Sequence, residues 1–403
     1  MGDFLHLVEE SFSEIHPELC DILTRLYHRD PHESEFLNAV LEIAEAIQPV
    51  LKTDPSLLNV FEQLCEPERV IMFRVPWLDD SNTVRVNRGY RVQFSSAIGP
   101  YKGGTRFHPS VTLSTIKMLG FEQIFKNALT MLPLGGGKGG SDFDPKNKSD
   151  GELMRFCQSY MTELARYISG DQDVPAGDIG VGGKEIGWMY GQYKRLHYGK
   201  FEGSLTGKGI AFGGSFCRPE ATGFGIVFLA QEFLKDLGIE ALKGVRVSIS
   251  GSGNVARFCA NKLLSEGATL VTLSDSKGTL IEPHGFSVDQ LQSVHEIKKS
   301  HNGSLAEYAS DTCIYVQGSR PWRCEETGGI DVAFPCATQN ELDGGDVEAL
   351  VSKGCRAIVE GANMPTTRDG VDKVKELSLP FVPGKMANAG GTYAFLYEPY
   401  VIC

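Results

Sequence analysis

The feature that most limits the possible folds of this chain is a glycine turn between two short apolar segments in its second half. Residues 245–250 read as a β-strand that runs directly into the turn and helix start at 251–256, Gly-Ser-Gly-Asn-Val-Ala. A helix over 256–266 and a second strand over 268–273 follow. In this context glycine lets the backbone approach a pyrophosphate, which the helix N-terminus stabilises. The pattern predicts a Rossmann-like dinucleotide-binding domain. The residues expected to contact the cofactor at the turn are Gly251, Ser252, Gly253, Asn254 and Val255.

The end of the second strand bears on which dinucleotide binds. Asp275 stands where an acidic side chain would bond the adenosine ribose 2′-hydroxyl, which indicates NAD. Ser274, Ser276 and Lys277 could instead hold the 2′-phosphate of NADP. The residues by themselves leave both cofactors open.

A single lysine set among glycines, in the stretch 133–140, points to a second site. The glycine-flanked Asp178 follows in Pro-Ala-Gly-Asp-Ile-Gly, and Lys102 precedes Gly103-Gly104. Gln123 and Lys126 are three residues apart on a predicted helix and share a face. Since glycine lets other groups approach the backbone closely, we expect an amine and a carboxylate to meet a small molecule here. Convergence of Lys102, Lys126 and Lys138 would suit a ligand with two carboxylates.

Composition narrows the class of protein. A length of 403 residues suits two domains, and 39 basic against 51 acidic residues give a net charge of −12. This charge opposes nucleic-acid and anionic-membrane binding. No apolar run is long enough for a membrane-spanning helix, and the first twenty residues carry no Lys or Arg, so we expect a cytoplasmic location. The ten cysteines contain no C-x-x-C pair, and we expect no metal site.

The chain as a whole predicts an α/β fold with two domains. Apolar spacing indicates helices from residue 4 to about 64, followed by a strand over 84–94 at the edge of the first domain and a helix over 110–130 that leads into a glycine-lysine loop. Three further strand-like segments in the second half lie at 331–334, 357–359 and 381–382. The expected domains are 1–206 for substrate binding and oligomerisation, 207–385 for the dinucleotide, and 386–403 as a shortened return segment.

Several long motifs in the same order give the chain a family resemblance. It resembles the hexameric glutamate dehydrogenases over about residues 10–391. The motifs that carry this resemblance are 90–94, 99–104, 120–127, 135–140, 175–180, 218–223, 333–341 and 360–367. The resemblance implies a homohexamer that interconverts L-glutamate with 2-oxoglutarate and ammonium, using NADP in preference to NAD.

The resemblance also implies roles for individual residues. Lys102 would bind the side-chain carboxylate of glutamate, and Gln123 and Lys126 its α-carboxylate. Lys138 would be the catalytic lysine and Asp178 its proton-transfer partner. The other implied contacts are Gly177 to the substrate through its backbone, Thr222 and Asn254 to the nucleotide, Asn363 on the nicotinamide side, and Ser274 with Asp275 to the 2′-phosphate.

The chain departs from the family pattern after Gly391. Phe395 stands about where the family has a serine that would join Lys102 at the side-chain carboxylate. Two alternatives to an active glutamate dehydrogenase stay open. One is a catalytically impaired subunit that still binds nucleotide or joins assemblies. The other is a dehydrogenase for a branched or aromatic amino acid, against which the retention of Lys102 argues because those relatives tend to have an apolar residue there.

Overall fold

A computed structural model of the protein describes residues 2–12, 17–199, 203–299, 303–308 and 312–391. The chain divides into two compact units between Phe216 and Cys217, shortly after the domain boundary expected at 206/207. Residues 392–403, which include Phe395, lie outside the described residues. No helix in the described ranges is long and apolar enough to span a bilayer.

The first unit combines seven helices and five strands within its described residues. In chain order they are α1 (Gly2–Phe12), α2 (Pro17–Arg29), α3 (Ser34–Thr53), α4 (Leu57–Leu64), β1 (Arg69–Leu78), β2 (Val84–Ser95), β3 (Tyr101–Phe107), α5 (Leu113–Ala128), β4 (Gly135–Ser141), α6 (Asp150–Leu164), β5 (Asp173–Gly177) and α7 (Gly183–Leu196). The helical opening predicted from apolar spacing is thus confirmed. Helix α5 begins at Leu113 because the Thr112 side chain accepts a hydrogen bond from the backbone N–H of Thr115.

The sheet of the first unit has the strand order β1-β2-β4-β3-β5. Strands β3, β4 and β5 are parallel, whereas β2 is antiparallel to both β1 and β4. The strand predicted over 84–94 is confirmed as β2, but its predicted place at the edge is wrong, because β1 covers the outer side of β2. Apolar residues of the first four helices pack with those of β2 and α5 in one core, and α6 and α7 contribute to a second. The all-buried β3 and β4 consequently lie at the centre of the unit.

The second unit alternates strands and helices. Its elements are α8 (Arg218–Lys235), β6 (Arg246–Ile249), α9 (Asn254–Ser265), β7 (Thr269–Asp275), β8 (Gly278–Ile281), α10 (Val288–Lys299), β9 (Ile314–Gln317), β10 (Val332–Phe334), α11 (Gly344–Ser352), β11 (Ala357–Val359), α12 (Arg368–Glu376), β12 (Phe381–Val382) and α13 (Gly384–Ala387). The five strands predicted in this half of the chain from its sequence are confirmed within one or two residues.

These strands form one sheet in the order β12-β11-β10-β6-β7-β8-β9. The five strands from β12 to β7 are parallel, and β8 and β9 extend the sheet as an antiparallel meander. The order reverses at β6, because the chain moves outward first through β7 and later through β10. This reversal is the place where parallel α/β sheets bind ligands at the carboxyl ends of their strands. The predicted two-domain α/β fold with a Rossmann-like unit is confirmed.

Candidate functional site

The glycine-lysine stretch forms a central strand, β4, so the prediction that it is a loop is wrong. Every residue of β4 is buried, with β2 on one side and β3 on the other. A Cβ added at Gly136 would lie 2.6 Å from the Ile124 side chain on α5, and one added at Gly139 would lie 3.2 Å from the Tyr160 hydroxyl. The glycines therefore let neighbouring layers pack directly on the strand, and Lys138 is the one charged side chain that β4 carries.

Lys138 and Asp178 form a buried ion pair. The Nζ of Lys138 lies 2.7 Å from Oδ2 of Asp178, and their side chains are 5% and 15% exposed. Two glycines leave room for the pair. A Cβ at Gly104 would lie 2.9 Å from Cβ of Asp178 and 3.4 Å from Nζ of Lys138, and one at Gly120 would lie 3.6 Å from Cβ of Lys138. The predicted amine and carboxylate thus meet in the structure.

The ionisation of this pair follows from burial and from a third charge, Arg106. Burial lowers the pKa of Lys138, Asp178 acts in the opposite direction, and the Arg106 charge lowers it further. Burial alone would raise the pKa of Asp178, but Lys138 and Arg106 hold it well below its usual range. Arg106 lies in β3 with its Nε 3.4 Å from Oδ2 of Asp178. Sequence reasoning missed Arg106.

A tight turn after β5 fixes the position of Asp178. The backbone N–H of Phe107 donates to the carbonyl of Ile179, which ties the turn to the end of β3. Gly180 has φ +73°, and a Cβ there would lie 2.2 Å from the carbonyl oxygen of Phe107. At Gly177 a Cβ would lie 2.5 Å from the carbonyl oxygen of Val181. Gly177 is therefore required to be a glycine by the turn itself, and its predicted backbone contact to a substrate stays a prediction.

Lys102 lies on β3, the strand next to Lys138. It is buried, and its Nζ donates to the Thr206 hydroxyl at 2.9 Å. The backbone N–H of Thr206 donates to the carbonyl of Pro175, so the segment that carries Thr206 lies beside β5. Sequence reasoning missed Thr206. The available signal was the Gly207-Lys208-Gly209 that directly follows it, a glycine-flanked lysine like the one in β4.

Gln123 belongs to a hydrogen-bond network that joins α5 to the sheet. Its amide Nε2 donates to Oδ1 of Asn127 at 2.7 Å. The Asn127 amide in turn donates to the carbonyls of Lys102, at 3.1 Å, and Gly135, at 2.5 Å. Lys126 lies in the last turn of the same helix and is partly exposed. The network holds the start of both lysine-bearing strands against α5.

The glycine turn of the second unit has the predicted form. Gly251 has φ +84°, which favours glycine, and a Cβ there would lie 3.0 Å from Cα of Ala337. Gly253 precedes the first turn of α9, and a Cβ there would have no neighbour within 4 Å. The space at the N-terminus of α9 is therefore open to a phosphate, which the unpaired N–H groups of a first helical turn attract.

The residues expected at the adenosine ribose are mostly engaged within the protein. The Ser274 hydroxyl accepts from the backbone N–H of Gly251 at 2.8 Å. The Asp275 carboxylate accepts from the N–H groups of Leu305 and Lys277 at 2.8 and 2.9 Å. Ser276 and Lys277 are exposed at the turn between β7 and β8. The contacts of Ser274 and Asp275 thus shape this turn, and their binding of the 2′-phosphate stays a prediction.

Three other predicted cofactor residues support the loops around the sheet. Asn254 donates through its side chain to the carbonyl of Pro219 at 2.8 Å, next to the start of α8. Thr222 lies on α8 against Gly391, where a Cβ would lie 2.5 Å from its hydroxyl. The Asn363 side-chain carbonyl accepts from Asn388 Nδ2 at 2.9 Å.

Glu360 is a buried carboxylate beside Asn363 that sequence reasoning did not assign. It directly follows β11, and its two carboxylate oxygens accept hydrogen bonds from the Thr366 hydroxyl at 2.6 Å and the Gly384 N–H at 2.7 Å. Burial raises the pKa of Glu360 to about 7, from an ordinary value of 4.5. It thus links the loop after β11 to the start of α13.

Glu360 makes the stability of the second unit depend on pH. Its pKa is higher in the folded than in the unfolded chain, so between about pH 4.5 and 7 the folded state holds a proton that the unfolded state has lost. The free energy of unfolding therefore falls as pH rises through this range. From pH 5.5 to 8 we expect the wild type to lose about 2 kcal/mol more than Glu360→Gln in urea unfolding. The exposed Glu326→Gln is the control, and parallel curves for all three proteins would contradict the prediction.

Two family models match the chain. Residues 67–195 match the dimerisation domain of Glu/Leu/Phe/Val dehydrogenases, and residues 213–398 match the model described as glutamate/leucine/phenylalanine/valine dehydrogenase. Together the two models cover all the predicted site residues of both units.

Curated relatives and solved structures agree with these matches. An NADP-specific glutamate dehydrogenase of Chlorella sorokiniana is 58% identical over 93% of this chain and 71% of its own length. One of Salmonella typhimurium is 53% identical over 93% of this chain and 84% of its own. Among solved structures, a Plasmodium falciparum glutamate dehydrogenase has a TM-score of 0.93 at 47% identity, covering 97% of this chain and 83% of that one.

Proposed function

Because the chain belongs to the glutamate/leucine/phenylalanine/valine dehydrogenase family, we propose that it interconverts L-glutamate with 2-oxoglutarate and ammonium, using NADP(H). The observation that carries this proposal is the ion pair between Lys138 and Asp178, buried in the centre of the first unit. It supplies a lysine with a lowered pKa next to an ionised carboxylate, the groups that deamination of an amino acid needs.

The substrate is held through its two carboxylates. Lys102 binds the side-chain carboxylate, and Thr206 fixes the direction of its ammonium group. Gln123 and Lys126 bind the α-carboxylate from α5, and the backbone of Gly177 contacts the substrate from the end of β5. Two fixed ends orient Cα of glutamate, and such positioning contributes several kcal/mol to lowering the barrier.

The chemistry requires proton transfers that Lys138 and Asp178 perform. Loss of a hydride from Cα of glutamate leaves an iminium, which water attacks, and the adduct collapses to 2-oxoglutarate and ammonia. Neutral Lys138 takes the proton of the attacking water, and this requires the lowered pKa that burial gives it. Asp178 passes protons between the substrate nitrogen and Lys138, whose Nζ it contacts. The reverse sequence gives reductive amination.

NADP fits the second unit. When bound, it accepts or returns the hydride. The open N-terminus of α9 at Gly253 would hold the pyrophosphate, with Ser252, Asn254 and Val255 around it. The turn of Ser274 and Asp275 would meet the 2′-phosphate, with the exposed Lys277 as a cation for it. Thr222 and Asn363 would contact the nucleotide and the nicotinamide side.

The relatives reported above are named glutamate dehydrogenases, which favours glutamate over branched or aromatic amino acids, and no finding favours an impaired subunit.

Assembly as a homohexamer is supported by the exposed β1 edge and by apolar side chains on the β1–β2 hairpin, since an open strand edge and exposed apolar side chains are typical of surfaces that bind other copies. The exposed side chains are Val70, Met72, Val84 and Val86. The acidic net charge supports the absence of nucleic-acid binding. A cytoplasmic location stays a prediction.

A cofactor and substrate comparison tests the proposed function. We expect the purified protein to oxidise NADPH with 2-oxoglutarate and ammonium, and to use NADH at least tenfold less efficiently, because the exposed Lys277 in the turn after β7 would supply a cation for the 2′-phosphate. Absorbance at the nicotinamide band measures both rates, and leucine against glutamate in the oxidative direction is the substrate control. A preference for NADH would contradict the cofactor, and turnover of leucine alone or of neither amino acid would contradict the function.

A further inference from the structure

One carboxylate, Asp178, faces two cations in the first unit. Oδ2 of Asp178 lies 2.7 Å from Nζ of Lys138 and 3.4 Å from Nε of Arg106. Lys138 reaches it from β4 and Arg106 from β3, and both cationic side chains are less than 10% exposed. The proposed reaction uses the first cation and leaves the second without a role.

The two cations differ in whether they can lose a proton. A guanidinium stays charged at any pH at which the protein is folded, whereas a buried lysine can release its proton. If Lys138 were the only partner, its deprotonation would leave Asp178 buried and ionised without a counter-charge, which would disfavour the loss of that proton. With Arg106 present, the carboxylate retains a partner in both states of Lys138.

The other charged groups around Lys138 do not supply this compensation. Glu122 on α5 is an anion and favours the protonated amine. Arg91 on β2 is committed to Asp173. Lys102 on β3 donates to the Thr206 hydroxyl. Arg106 is the cation that, together with Lys138, holds the pKa of Asp178 below its usual range.

We propose that Arg106 is a positioning residue for the reaction, whose permanent charge keeps the Asp178 carboxylate ionised and in place while the amine of Lys138 gives up its proton. Arg106 acts through Asp178 and Lys138. The inference rests on the proposed function, since it concerns the same pair of groups.

The pH profile of kcat/KM for glutamate oxidation by the whole protein tests this role. Arg106→Gln removes the charge, so we expect the acid limb to move about one pH unit higher, because Lys138 then releases its proton less readily. Arg106→Lys puts a second buried amine beside Asp178, which can release its proton as a guanidinium cannot, so we expect its acid limb to lie between those of the wild type and Arg106→Gln. Arg195→Gln, which removes an exposed charge in the last turn of α7, is the matched control and should not move it.

The outcomes separate this role from a structural one. A uniform loss of activity in folded Arg106→Gln with an unmoved acid limb would overturn the proposal, as would an equal shift in Arg195→Gln. If circular dichroism shows that Arg106→Gln does not fold, Arg106→Met takes its place in the same assay, and failure of both to fold would make Arg106 structural and also overturn the proposal. Absence of turnover in the wild type would instead contradict the proposed function.

Discussion

Replacing Lys138 by alanine is expected to lower kcat for glutamate oxidation by about 10²–10⁴-fold while the second unit still binds NADPH. The loss follows from the position of the amine, since its Nζ is the proton acceptor that contacts Asp178. The fold should survive because Asp178 keeps Arg106 as a partner, and because the other residues of β4 are unchanged. Steady-state rates and a fluorescence titration with NADPH measure the two quantities on the same sample.

A matched alanine variant makes the result specific. Lys146 is exposed in the turn before α6, and Lys146→Ala removes the same side chain without touching the ion pair. We expect it to keep the wild-type rate and affinity. Loss of both turnover and NADPH binding in a folded Lys138→Ala protein would contradict the assignment of Lys138 to proton transfer. Full activity would contradict it more directly.

The second unit could be predicted closely from the sequence because its signals are local. Strand β6, the glycine turn and α9 follow each other without interruption, so each residue type is explained by its neighbours in the chain. The hydrogen bonding of Asp275 could not be predicted from local signals. Its hydrogen-bond donor Leu305 comes from a segment thirty residues further along the chain, and no local pattern announces that contact.

The first unit was harder to predict because tertiary packing overrides local preference there. Glycine disfavours strands, yet Gly135–Ser141 is a strand because α5 packs on one of its faces and Tyr160 on the other. Strand β1 was missed because Pro76 interrupts its pattern, and proline is tolerated in an edge strand such as this one. Arg106 was missed because every residue of β3 is buried, so no alternation separates a functional charge from the core.

Breaking the buried ion pair between Arg91 and Asp173 is expected to be the most destabilising single change in the first unit. Both side chains are fully buried. The Arg91 guanidinium donates to both carboxylate oxygens of Asp173, and Gln93 adds a further bond at 2.9 Å. Arg91 also donates to the carbonyl of Gly103 at 3.2 Å, so the pair joins β2, β3 and β5 beneath the proposed substrate site. Asp173→Asn leaves a buried cation without its counter-charge, and we expect it to lower the free energy of unfolding by about 3–5 kcal/mol.

A double substitution distinguishes the lost charge from lost packing. The double variant Arg91→Met, Asp173→Leu removes both charges of this pair. Apolar side chains of similar volume often replace a buried ion pair without cost, so most of the stability lost in Asp173→Asn should return. Asp171→Asn, an exposed change just before β5, is the control and should stay within about 0.5 kcal/mol of the wild type. Urea unfolding at constant protein concentration compares the four proteins, since assembly would otherwise shift the midpoints.

A loss below about 1 kcal/mol in Asp173→Asn would show that the Arg91–Asp173 pair contributes no more to stability than an exposed ion pair. A double variant as unstable as the single one would assign the loss to packing, and the centre of the sheet would then depend on the shape of Arg91 rather than on its charge.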